Sequence, residues 1–129
     1  MAGIGQKLRE LWGWRVGAAQ HSIRLLADNL TPIQKEQLAL FKYFDVIGGD
    51  TGTRYRIHLR DQLNVEALDD RGRQLRMLCF MPKGHLPVGD TMLAQKIALE
   101  LFETEAVQIA NGQPAWNDSW VRAPYGFRY

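Results

Sequence analysis

Four basic side chains recur at every second position: Arg54, Arg56, His58 and Arg60. Residues spaced by two share one face of a β-strand, so the run presents a cationic face while Tyr55, Ile57 and Leu59 take the other. The simplest reading is a solvated strand balanced at home, and Glu66 on the next strand is placed to do it. The functional reading is a platform for an acidic protein surface or for phosphate. Nucleic-acid-binding sheets interleave aromatic rings with their basic residues so that bases can stack. Here the aromatic Tyr55 belongs to the opposite face, which ranks an acidic protein patch ahead of nucleic acid. A nucleic-acid reading would use Arg54, Arg56 and Arg60 and recruit Arg73.

Cys79 with His58 and His85 is the one group that resembles a nucleophile and its base. Such chemistry needs a thiolate activated by a nearby histidine that a third group orients. Cys79, however, sits within the apolar run Leu75-Arg76-Met77-Leu78-Cys79-Phe80, where a thiol is expected as a small core residue. No third group is apparent, so a cysteine-dependent enzyme ranks last and no catalytic residue is assigned. His21, His58 and His85 show no ligand spacing, and one cysteine makes no zinc site; neither metal nor cofactor is expected. Gly48-Gly49-Asp50-Thr51-Gly52 lacks the Lys-Ser/Thr ending of a phosphate loop and is followed by strand residues. It reads as a hairpin turn.

The second concentration of binding chemistry is the segment 113–129. Trp116, Trp120, Tyr125 and Phe127, with Arg122 and Arg128, have the composition of interface hot spots. A tail this aromatic is a hazard if left in solvent, so it must cover its own domain or dock on a partner or a second copy. Near the other end, Trp12 and Trp14 join a basic polar side. Packing within the domain is the first reading there, a partner protein the second, and peripheral contact with a membrane by the helix over 4–27 the third.

These residues need elements to hold them. With 129 residues, 46% of them hydrophobic and 23% charged, the chain suits one domain with a real core. Its formal charge of +2 is too small to imply nucleic acid by itself. The charge is polarised, though. Residues 1–27 set four basic side chains against Glu10, a local +3, whereas residues 90–105 set Asp90, Glu100, Glu103 and Glu105 against Lys96, a local −3. That asymmetry favours an oriented binder. Lys7, Arg9 and Glu10 interrupt any secretory core, no apolar run is long enough to span a bilayer, and one cysteine cannot form an internal disulfide. A cytoplasmic location is expected.

Ile4, Leu8, Trp12, Val16, Ala19, Ile23 and Leu26 form one stripe at helical spacing and predict a helix over 4–27, with Gly13 and Gly17 as weak points. Thr31-Pro32-Ile33-Gln34 predicts a capped helix over 32–42, whose apolar side is Ile33, Gln37, Leu40, Phe41 and Phe44. Strands lie within 44–80, and Asp69-Asp70-Arg71-Gly72 makes a turn with glycine placed for a bulge. A third helix is expected over 91–110, capped by Asp90 or Thr91, with Leu93, Ile97 and Leu101 beside Ala94, Ala98 and Phe102 on a broad apolar side; Asn111-Gly112 stops it.

The expected fold is α+β: two N-terminal helices, a three- to four-stranded antiparallel meander, and a long helix packed on the sheet. Residues 1–112 form the domain and 113–129 an aromatic tail. The function these features favour is a non-enzymatic binding or assembly subunit that engages a protein partner, or itself, through the basic strand face and the tail. Nucleic-acid binding is the alternative.

Overall fold

Thr31 starts the clearest helix in the way its chemistry dictates. Its Oγ1 accepts from the Gln34 N–H at 3.2 Å and the Gln34 Oε1 accepts from the Thr31 N–H at 3.0 Å, a reciprocal capping box ahead of Pro32. The computed structural model, which describes residues 14–60, 63–84, 86–112 and 119–122, places this helix, α2, over Pro32–Phe41. It is preceded by α1, Trp14–Asp28, which runs through Gly17 without a break. Lys42 then adopts a left-handed φ of 62° and donates to the Leu38 carbonyl at 3.1 Å, which turns the chain into the first strand.

The sheet is a four-stranded antiparallel meander in the order β1 (Tyr43–Ile47), β2 (Arg54–His58), β3 (Val65–Leu68), β4 (Gln74–Leu78). Alternation in β2 is as the sequence requires: Tyr55 and Ile57 are buried, and Arg54, Arg56 and His58 turn to the other face. The β3–β4 hairpin closes at Asp69 and Arg73 around a left-handed Gly72, and a register shift follows between Ala67 and Leu68. A two-stranded ladder joins β5 (Met81–Pro82) to β6 (Trp120–Val121). The chain beyond residue 112 thus returns to the domain at this point.

The expected apolar side of α2 is not the buried one. Ile33 and Leu40 are 73% and 64% exposed, whereas Gln34 and Leu38 face inward. The reason lies in the edge of the sheet. Gln34 Nε2 donates to the Asp45 carbonyl at 2.9 Å, and the Asp45 N–H donates to Gln37 Oε1 at 3.0 Å. Two glutamines thereby occupy backbone groups that β1 would otherwise leave open to another strand.

The single helix expected over 91–110 is two helices, α3 (Val88–Leu101) and α4 (Glu103–Ala110), broken at Phe102. The Leu99 carbonyl, which a continuous helix would give to residue 103, accepts instead from the Gly49 N–H at 3.0 Å. Glu103 is turned inward onto the same loop, and Ile97, Leu101 and Phe102 remain exposed rather than joining the core. Nor does Asp90 or Thr91 cap α3, which begins after Pro87. Its early Gly89 N–H donates to Ser22 Oγ of α1 at 3.2 Å. A Cβ on Gly89 would lie 2.4 Å from the Ser22 backbone, so only glycine lets these helices approach so closely.

The core lies between one face of the sheet and α3–α4, with Phe44, Ile57, Phe80, Met92 and Leu99 fully buried and Leu26 entering from α1. Its buried polar pair is satisfied. Asn64 and Gln95 exchange side-chain hydrogen bonds at 2.7 and 3.0 Å, and Gln95 also donates to the Phe80 carbonyl at 2.9 Å. Among the described residues, no helix is long and apolar enough to cross a membrane.

Candidate protein-docking face

Because Phe44, Val46, Tyr55 and Ile57 all point to the helices, the intervening residues of β1 and β2 must form the opposite face. Cross-strand partners there are Tyr43 with His58, Asp45 with Arg56, and Ile47 with Arg54; Arg56 continues to Glu66 on β3, and Glu66 to Met77 on β4. This open face holds three of the four basic residues singled out by their spacing.

Its charges are largely engaged with one another. Asp45 takes Arg56 in a two-point bond, at 2.8 Å from Nε and 3.1 Å from Nη2, and the guanidinium sits 4.1 Å from the centre of the Tyr43 ring. The hydrogen bonds that Arg56 donates to Asp45 raise its pKa against the opposing effect of burial. His58 Nε2 lies 2.7 Å from Glu66 Oε1. Arg60, just past the strand, donates from Nε and Nη2 to the Leu63 carbonyl, at 3.1 and 2.6 Å. Arg73 pairs with Asp69 at 3.0 Å. Arg54 is exposed and has no ion pair among the described residues. Sequence alternation located these cations; it did not locate Asp45, whose role depends on the β1–β2 register.

Apolar side chains border the paired charges. Phe41 stacks on Tyr43 with ring centres 5.4 Å apart, and Tyr43 meets His58 edge-on at the same separation. Phe41 and Ile47 are each 56% exposed, and Leu75 at the β4 margin is 62% exposed. What the face offers is an aromatic and aliphatic surface with an arginine fixed against a ring, a combination enriched where proteins meet.

The other predicted residues divide. Trp120 packs against Phe80 at 5.8 Å and is half-buried against the core. Trp116, Tyr125 and Phe127 lie outside the described residues, as does most of the segment that prompted the membrane reading. Cys79 is buried. His85 lies outside the described residues, and His58 is occupied by Glu66, so the three-residue set is not brought together by anything described. Among the described residues no cluster of metal-ligating side chains occurs.

Sequence reading passed over the most heavily bonded carboxylate. Glu103, only 2% exposed, accepts at Oε1 from the Asp50 and Thr51 N–H groups at 2.9 and 2.8 Å, and at Oε2 from Tyr55 Oη at 2.6 Å and from Thr51 Oγ1. Burial pushes its pKa up, but the bonds from Thr51, Tyr55 and Asp50 outweigh that and lower it overall. Asp50 returns the bond by accepting from Thr104 N–H and Oγ1 at 2.9 and 2.7 Å, at the start of α4. Burial and hydrogen bonding to Glu103 push the Tyr55 hydroxyl above its ordinary value. A readable signal existed: Glu103 falls four residues after Leu99 and three before Ala106, on the stripe that must be buried. With both of its oxygens taken by the β1–β2 loop and by Tyr55 of β2, this group is a clasp that ties the helix to loop and strand.

No family model, no curated protein and no solved structure matches the chain.

Proposed function

We propose that this protein is a non-enzymatic binding or assembly subunit that docks a protein partner on the open face of its sheet. The observation that carries the reading is the paired centre of that face, Asp45 with Arg56 and Glu66 with His58, bordered by exposed Phe41 and Ile47 and by the half-buried Tyr43. Desolvating an ion pair that already holds its partner costs less than stripping a lone cation, so a protein can cover this surface. A phosphate backbone gains least from such a surface. Its affinity depends on free lysine and arginine releasing counterions, and Arg56 is already held by a carboxylate.

The test compares affinity capture by the parent chain and by the Phe41→Glu/Ile47→Glu variant, with amide exchange in the sheet confirming that both are folded. A partner retained by the parent in about 0.5 M salt and lost by the variant supports the reading, because screening leaves apolar docking intact. Self-association that the same variant abolishes, seen by sedimentation, supports the assembly form. Retention of the same partner by both proteins overturns the face as the site, and binding that vanishes with salt would point to nucleic acid instead.

A further inference from the structure

We propose that the occupant of the docking face is a second copy of this chain, joined across a two-fold axis that runs between α2 and β1. The inference rests on the docking-face reading and adds to it the identity of the partner and the residues that meet.

The uncovered side of α2 comes first. The helix lies along the β1 edge, with Gln34 and Gln37 both bonded to peptide groups of Asp45. At about 3.6 residues per turn, Leu38 falls to one side of that direction and Ile33 and Leu40 to the other. Leu38 joins the core on the helix side of the sheet, so Ile33 and Leu40 rise on the open side. Phe41 agrees, because it stacks on Tyr43, a residue of the open face. The docking face is therefore wider than the sheet. It carries one apolar row on α2, Ile33 and Leu40, beside a second on β1, Ile47 and Tyr43 with Phe41 at its end. The rows are similar in length, since seven helical residues rise about 10 Å and four strand steps about 13 Å. Because Lys42 turns α2 back into β1, Ile33 stands at the Ile47 end and Leu40 at the Tyr43 end.

Charge then selects the occupant. Two exposed side chains bracket the rows, Glu36 on the outer side of α2 and Arg54 beside Ile47 on β2. Neither side chain makes a hydrogen bond or an ion pair among the described residues. Between them, Asp45 and Arg56 hold each other. A patch with a spare anion on one margin, a spare cation on the other and matched apolar rows between is complementary to itself. That is the requirement of an isologous contact, in which residue i meets j and j meets i. Rotation about the axis sets Ile33 of each copy on Ile47 of the other, Leu40 on Tyr43 and Phe41, and Glu36 on Arg54. Each α2 row thereby covers the β1 row of the other copy. A foreign protein would have to reproduce the row length and the order of the two charges, whereas a second copy supplies both by construction. Every meeting occurs twice, and the assembly closes at two copies.

Sedimentation of the full chain over a range of concentrations is expected to show a monomer–dimer equilibrium. Glu36→Arg and Arg54→Glu alter exposed side chains, and each alone sets like charges together twice in the dimer. Each is expected to weaken the dimer by about tenfold or more. An equimolar mixture of the two variants is expected to regain the parent's affinity, because every meeting across the axis is again between opposite charges. That recovery also shows that both variants are folded. Ile33→Ser with Leu40→Ser removes the α2 row and is expected to abolish association while the sheet amides keep their protection from exchange. A parent that stays monomeric, charge variants that associate as the parent does, a mixture that fails to recover, or assembly beyond two copies each overturns the proposal. The docking-face reading fails separately. It survives any of these results if the parent retains a different protein that the Phe41→Glu/Ile47→Glu variant loses.

Discussion

The two faces of this sheet use the same chemistry, a carboxylate with hydrogen-bond donors, for opposite ends. On the helix side Glu103 is 2% exposed and accepts from two backbone amides, a threonine and a tyrosine, drawn from a loop and a strand some fifty residues away. On the open side Asp45 and Glu66 remain partly solvated, and each holds one side chain of β2, Arg56 and His58. Donor number and water decide the difference. Removing Glu103 strands the buried Tyr55 hydroxyl together with two part-buried loop amides, whereas removing Asp45 or Glu66 lets water replace what is lost. The first carboxylate fixes the fold, and the second pair sets the character of a surface.

Glu103→Ala is the severest way to break that contrast. It leaves the Tyr55 hydroxyl and the amides of Asp50 and Thr51 without their acceptor, at about 1–3 kcal/mol for each group that water cannot reach. A total loss of about 3 kcal/mol or more is expected, read as a fall in the urea midpoint with little change in slope. Asp45→Ala measured alongside should cost about 1 kcal/mol. Equal costs would erase the distinction between the faces.

Acid sharpens the same comparison. Because the native pKa of Glu103 is lowered from 4.5, the folded state holds its proton less tightly than the unfolded chain does. Its contribution is fully present above that ordinary value and is lost as pH falls through the lowered native one. Glu103→Gln has no proton to take up, so its stability should decline less steeply than the parent's below about pH 5. Urea midpoints for both proteins across that range provide the check; parallel declines would show that the clasp is not what acid releases.

A smaller lesion reaches the clasp from the loop. A Cβ on Gly49 would stand 2.0 Å from the Glu100 backbone carbonyl oxygen, which belongs to α3 and cannot swing aside. Gly49→Ala should therefore cost about 2 kcal/mol in the same denaturation experiment. Gly52→Ala provides the contrast, since no atom crowds its Cβ position and its penalty comes from a left-handed φ of 75° alone.

Much of the scaffold was legible because it rests on local rules. Thr31, Pro32 and Gln34 mark a helix start through contacts within four residues, and the two-residue alternation of Arg54 to Arg60 sorts the faces of β2. What escaped depends on distant partners. Ile33 and Leu40 look like a core stripe, but α2 turns Gln34 and Gln37 to β1 because an edge strand has peptide groups to satisfy. The break at Phe102 comes from a loop amide that takes the Leu99 carbonyl, and no periodicity in α3 announces it. At the candidate face the cations were visible and their neutralisation was not. Asp45 lies eleven residues from Arg56, and only the β1–β2 register makes them opposite.

The gentlest change tests what that neutralisation is for. Asp45→Asn with Glu66→Gln preserves side-chain size and removes two negative charges from the open face, at an expected cost of about 1 kcal/mol in stability. Arg56 would then join Arg54 as a cation free to meet phosphate. If the carboxylates are what turn this face toward proteins, the double variant should acquire binding to single-stranded nucleic acid at low salt. With two phosphates contacted, the logarithm of affinity should fall against the logarithm of salt with a slope of about −1.4. The parent should show neither the binding nor the slope under the same conditions. A parent that already binds as tightly would mean that the ion pairs do not shield Arg56, and the face would have to be read as cationic after all.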